Sequence, residues 1–153
     1  MQIVSKDRLM EMVGEDLGSS DWFTIDQDRI NAFADVTLDH QFIHVDPAQA
    51  AQTPLGGTIA HGFLTLSLIP YFTAQVGVIP ENMVMMFNYG LDRLRFITPV
   101  KSGSAVRAHS RLIDATERGP GQLLIKTEIT VEIEGEDKPA LVAETLTMAV
   151  TGA

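Results

Sequence analysis

From position 47 to position 80 the chain runs for 34 residues without an Asp, Glu, Lys or Arg, between Asp46 and Glu81. Within that stretch the segment from Ile59 to Val76 is apolar at nearly every angle of a helical wheel. A helix without a polar face belongs in a membrane or in the centre of a core. His61, Gly62, Thr65, Ser67, Pro70, Thr73 and Gln75 interrupt the run and no basic residue flanks it, which disfavours a membrane span. The rest of the chain is therefore expected to wrap around one long, buried central helix. Pro70 removes a backbone donor and crowds the preceding turn, so a kink or restart is expected there.

The C-terminal half supplies the wrapping. Leu123, Ile125, Ile129, Val131 and Ile133 alternate with Lys126, Glu128, Thr130, Glu132 and Glu134, the pattern of a long strand with one packed and one wet face. Arg107, His109 and Arg111 alternate similarly within Val106 to Leu112. In the last strand Val142, Leu146, Met148 and Val150 read as the packed face, with Glu144 as an exception. Asn82 to Ile97 reads as a further strand with a bulge at Gly90. Such strands predict a curled antiparallel sheet around the helix, an α+β fold in a single domain spanning 1–153. Upstream, Ser5 predicts a helix cap with Gly14 as the stop. Ser20 to Ile25 predicts a short strand, Asp26 caps a helix to about Asp35, and Asp46-Pro47 opens a short helix through Gln52.

Composition limits the function. The net charge of −9 argues against general nucleic-acid binding, which relies on basic surface. The absence of Cys removes thiolate chemistry and disulfides. The first residues carry charges where an export signal needs an apolar core, so a cytoplasmic location is expected.

Immediately before the apolar stretch lies Asp39-His40-Gln41-Phe42-Ile43-His44. A His beside a carboxylate can take and give protons near neutral pH, which makes Asp39 and His44 an acid/base candidate; an unremarkable surface pair is the alternative. His40 and His44 would share a metal only on a regular helix, which Phe42, Ile43 and Asp46-Pro47 make improbable, so no metal is expected. Gly62 opens the apolar helix, where free N–H groups and room for close approach suit an oxyanion; close packing in a crowded core is the competing reading. His61 reads as a satisfied core histidine, and Ser67 as either a substrate contact or a bond to its own helix.

DHQFIHVD from Asp39 to Asp46, followed by TIAHGFLTLSL, resembles the signature of the MaoC-like dehydratases, the (R)-specific enoyl-CoA hydratases of the hotdog fold. DWFTIDQDRINAFADVT and NYGLDRLRFITPV extend the resemblance over nearly the whole chain and make it closest to the branch of the nodulation protein N proteins. The resemblance implies that Asp39 and His44 activate water and that the Gly62 N–H holds a thioester carbonyl. It makes Gln41, Phe42, His61, Phe63, Ser67, Asn88 and Gly90 candidate substrate contacts, and Arg93, Arg95 and Lys101 candidates for coenzyme A phosphates. Gln41-Phe42 stands where many members have Asn-Pro. The resemblance implies a homodimer acting on an acyl-CoA substrate with no cofactor, no nucleic acid and no membrane; the long strand from Leu123 to Glu134 is expected to be the edge that a second copy covers. A hotdog thioesterase, or a non-catalytic module binding acyl-CoA or acyl-carrier protein, is the alternative.

Overall fold

The computed structural model describes residues 1–152. It begins with β1 (Gln2–Val4), α1 (Lys6–Glu11), β2 (Asp16–Ser19) and β3 (Phe23–Ile25). Next come α2 (Gln27–Thr37), the single turns α3 (Phe42–Val45) and α4 (Pro47–Ala50), and the helices α5 (Gly62–Ser67) and α6 (Ile69–Val76). It closes with β4 (Val78–Pro80), β5 (Met83–Phe96), β6 (Ser104–Gly119), β7 (Gln122–Ile133) and β8 (Leu141–Thr151).

The capping expectations hold. The side chains of Ser5, Asp26 and Asp46 each accept a backbone N–H at the head of α1, α2 and α4. β2 was not anticipated; it follows a chain reversal at Gly14, whose φ of +97° favours glycine.

The main sheet has the order β2-β6-β7-β8-β5, antiparallel throughout, with β3 also paired to β6. Its concave face receives α5 and α6, where Leu64, Ile69 and the fully buried Phe72 pack with Ala108, Ile129, Val131 and Leu141. Opposite charges face each other across β6 and β7, Arg107 with Glu132 and Arg111 with Glu128. The Arg107 Nε donates to Glu132 at 2.7 Å.

Four expectations change. The single long central helix is two helices, restarting at Pro70 as expected, with Leu68 ending α5 and Pro70 in the first turn of α6, where its missing N–H costs nothing. Nor is it buried all round: Phe63, Ser67, Pro70, Tyr71 and Ala74 form an exposed stripe at helical spacing. In β8 the face packed on the helices is the other one, although Met148 is buried as expected. Ala143 and Ala149 stand opposite Ile129 and Leu123, whereas Glu144 shares the outer face with Lys126, which it meets at 2.6 Å. A shift of one residue exchanges the faces of a strand, and here the smaller residues face inward, against the helices. Finally, β7 lies between β6 and β8, so the strand from Leu123 to Glu134 is no edge; the long open edge is β5.

Candidate active site

Three segments meet at the head of α5. The extended residues Thr58 to Ala60 are pinned on both sides, the Ile59 N–H donating to the Ile43 carbonyl at 3.0 Å and the Ala60 N–H to the Val100 carbonyl at 2.7 Å. Gln27, in the first turn of α2, accepts from the Thr58 hydroxyl at 2.5 Å and donates to the His44 carbonyl at 2.7 Å. Nothing in the sequence around Gln27 marks it for this role, since the contact joins residues far apart in the chain.

His44 sits on α3, a turn that sequence reasoning placed in irregular chain. Gln41 caps the turn without a side-chain bond and Phe42 takes the first helical position, so the turn forms without Asn-Pro. His44 is 6% exposed. Its Nδ1 donates to the Ile59 carbonyl at 2.7 Å. A carbonyl only accepts, so the proton of the neutral ring is on Nδ1 and Nε2 carries the free lone pair.

Asp39 follows Leu38, which ends α2 in the left-handed region at φ 64°. That conformation is costly for a branched residue and turns the chain sharply to present Asp39. The carboxylate is half exposed and accepts only a long bond, 3.4 Å, from the Gln41 N–H.

His61 is not the satisfied core residue expected. It is buried, and its ring stacks on that of His44 with centroids 3.8 Å apart and planes 23° apart. Phe33 of α2 packs against it at 5.0 Å. Its Nε2 donates to the backbone carbonyl of Asp39 at 2.9 Å and lies 3.9 Å from that residue's carboxylate. Its Nδ1 is buried with no partner.

Donor atoms of Asp39, His44 and His61 all lie within 4.8 Å of one another. Two imidazoles stacked nearly parallel do not aim their lone pairs at one point, whereas a bound metal lies close to the plane of each ligating ring; the arrangement does not fit a metal centre. The suspected partner His40 is turned away and bonds Asp35 at 2.9 Å.

Beside His44 opens a cavity of about 360 Å³ lined also by Ile59, Gly62, Phe63, Thr65 and Phe96. Gly62 is the first residue of α5, so its N–H has no intrahelical acceptor. A Cβ on Gly62 would fall 2.9 Å from the Phe96 ring, so glycine is needed for that close approach. A second cavity of about 770 Å³ lies between α5–α6 and the β5–β8 part of the sheet. It is lined by Ser67, Asn88 and Gly90, and the Ser67 hydroxyl donates to the Phe63 carbonyl at 2.7 Å, the intrahelical alternative.

The candidate residues thus divide. His44, Gly62 and Phe63 share one cavity, Ser67, Asn88 and Gly90 the other, and Gln41, Phe42 and His61 line neither. Arg93 and Arg95 line neither as well. Arg93 pairs across from Glu144 on the outer face, and Leu94 and Phe96 take the inner one, so both arginines point away from the helices. Lys101 lines neither cavity either; it pairs with Ile59 and follows Val100, which lines the smaller of the two.

One arrangement not anticipated lies on the outer face. Ser19, His109 and Asp16 form a Ser-His-Asp chain with both contacts at 3.1 Å. All three are at least partly exposed and none lines a cavity described above, so the chain fastens β2 to β6.

Residues 9–135 match the family described as the MaoC like domain. The chain is 50% identical over 137 residues to nodulation protein N of Rhizobium leguminosarum bv. viciae, covering 89% of this chain and 85% of the relative. It is 48% identical over 138 residues to 3-hydroxyacyl-thioester dehydratase Z of Mycobacterium tuberculosis, covering 90% and 91%. In fold it resembles an (R)-hydratase of A. caviae, with a TM-score of 0.72 at 24% identity over 88% of this chain and 94% of that one. An R-hydratase of Pseudomonas aeruginosa gives 0.70 at 24% identity, over 92% and 83%.

Proposed function

The chain belongs to the MaoC-like dehydratase family, whose hotdog fold it has, and is a hydratase or dehydratase; from that premise we propose that it adds water to a trans-2-enoyl thioester to give the (R)-3-hydroxyacyl thioester, or removes it in reverse. The observation that carries the reading is His44. It is fixed by a carbonyl through Nδ1, its free nitrogen is Nε2, and it borders the same cavity as the unpaired N–H of Gly62.

The chemistry follows from these groups. Asp39 and His44 hold one water between them and take a proton from it as its oxygen bonds to C3. The C2=C3 electrons move toward the thioester oxygen, whose developing charge meets the Gly62 N–H. A proton returned to C2 completes the addition, so water is divided as H on C2 and OH on C3. Dehydration is the same path reversed. No covalent enzyme intermediate and no cofactor enters the balance; coenzyme A is part of the substrate.

Lys101, next in the chain to the cavity-lining Val100, is the phosphate contact that this placement favours, ahead of Arg93 and Arg95. The acyl chain has two possible seats, the cavity at Gly62 and the larger one behind Ser67, and their different sizes make chain-length preference the readout. The protein works as a homodimer in this reading. Ser67, Pro70 and Ala74 of the exposed stripe and Met86 to Leu91 of the β5 edge line the larger cavity, and β5 exposes Val84, Met85, Phe87 and Tyr89 by 65%, 54%, 47% and 60%. An edge so long and apolar invites a second copy.

The test is to mix the protein with crotonyl-CoA and longer enoyl-CoAs, follow loss of the conjugated thioester absorbance, and resolve the product by chirality. Formation of the (R)-3-hydroxyacyl product supports the proposal. Release of free CoA without a hydroxyacyl product selects the thioesterase instead.

A further inference from the structure

We propose that His61 is a positioning residue that makes Asp39 and His44 a working pair, tethering Asp39 through its backbone carbonyl and holding the His44 ring in the orientation that leaves Nε2 free. The proposal rests on the hydration reading for its kinetic consequences, though not for its structural ones.

Asp39 needs such a tether. It stands after a left-handed residue, its side chain is half exposed, and its own carboxylate makes only the 3.4 Å bond to the Gln41 N–H. The 2.9 Å bond from His61 Nε2 to its carbonyl is the short contact that fixes it to the head of α5. His44 needs support too. One hydrogen bond to Ile59 leaves the ring free to tilt about that bond, and the His61 ring at 3.8 Å removes this freedom. His61 is itself buried, 4% exposed and packed on Phe33.

The proton inventory supports the same role. Both rings donate to carbonyls, which fixes His44 as the Nδ1–H and His61 as the Nε2–H tautomer. The remaining nitrogen of His61 is buried and without a partner. The ring's one hydrogen bond is therefore the one to the Asp39 carbonyl. The groups facing the two rings are the carboxylate of Asp39, the carbonyls of Ile59 and Asp39, and the ring of Phe33.

Three variants separate the parts. His61→Phe keeps a ring against His44 and loses the donor; His61→Gln keeps a donor and loses the ring; His61→Ala loses both. A misplacement near 1 Å costs roughly 10²-fold in rate, so kcat for crotonyl-CoA hydration should fall about 10²-fold in the Ala variant. KM should stay within about threefold, and the Phe and Gln variants should each recover part of the loss. Histidine ¹⁵N spectra should show His44 as the Nδ1–H tautomer in the parent protein and as a tautomer mixture in His61→Ala. Variants with parental kcat, or a His44 spectrum indifferent to His61→Ala, overturn the proposal. So does a loss of rate that tracks the unfolded fraction in a thermal melt and vanishes on cooling. If the parent protein hydrates no enoyl thioester, the reaction assignment fails while the spectra still decide the role of His61.

Discussion

Gly62→Ala tests the close packing at the head of α5. The added methyl would lie 2.9, 3.0 and 3.2 Å from Cε1, Cδ1 and Cγ of Phe96. Carbon atoms rest about 3.5 to 4.0 Å apart, so the ring must withdraw by roughly 0.7 Å. Phe96 is 46% exposed, which gives it somewhere to go. The stability cost should therefore stay at or below the low end of overpacking, about 1 kcal/mol. It is offset in part by the smaller entropy an Ala loses relative to Gly, about 0.4 to 1 kcal/mol. The net cost is at most about 0.6 kcal/mol, so the melting temperature should move by no more than about 2 °C. Activity should respond far more, because the methyl and the displaced ring both narrow the cavity beside His44. A displacement of this size lowers kcat/KM for crotonyl-CoA by roughly 10²-fold. Adding Phe96→Leu removes the ring and should restore much of the rate, giving a coupling between neighbours in a double-mutant cycle. A Gly62→Ala protein with parental activity, or a double variant no better than the single one, would refute the steric argument.

Further outcomes follow from the same geometry. Asp39→Asn and His44→Ala should each lower kcat by roughly 10²- to 10⁴-fold with the melt unchanged, and the double variant should be little worse than the worse single one, measured on the same enoyl-CoA. Ser110 is fully buried with an unpartnered hydroxyl; Ser110→Ala should raise stability by about 1 kcal/mol in a urea titration. The Lys126 ammonium is held above its ordinary value of 10.5 by its bonds to Glu144 and then Asp92. A raised value means that the contribution is complete below 10.5 and disappears as pH rises through the folded value, so the stability gap to Lys126→Met should persist at pH 8 and close in strong alkali. Phe87→Asp on the open β5 edge should convert a dimer to a monomer in light scattering, and a parent protein already monomeric at micromolar concentration would refute the edge-pairing proposal.

Much of the local architecture was legible because its causes are local. Ser5, Asp26 and Asp46-Pro47 announce helix starts since the capping carboxylate or hydroxyl and the N–H it accepts are three residues apart. The alternation in β7 identified its packed face because that strand carries Leu123, Ile125, Ile129, Val131 and Ile133 inward and Lys126, Glu128 and Glu132 outward, with Leu124 as the exception. Asp39, His44 and Gly62 stand out as candidates for another reason, their place in a signature that extends through much of the chain.

What the tertiary structure decided is everything that depends on which distant segments meet. The face of β8 followed its pairing with β7 and not its own apolar residues, because small side chains leave room for α5 and α6. The exposed edge became β5 once β7 was enclosed by β6 and β8, an outcome fixed by strand order and invisible in strand length. Arg93 and Arg95 turned outward through the same pairing. Most consequentially, His61 reads from its apolar surroundings as core, yet it stacks on His44 and donates to Asp39, 17 and 22 residues earlier in the chain. Capping and alternation are written residue by residue, whereas stacking and register arise only when the folded sheet and helices bring those residues within a few ångströms of each other.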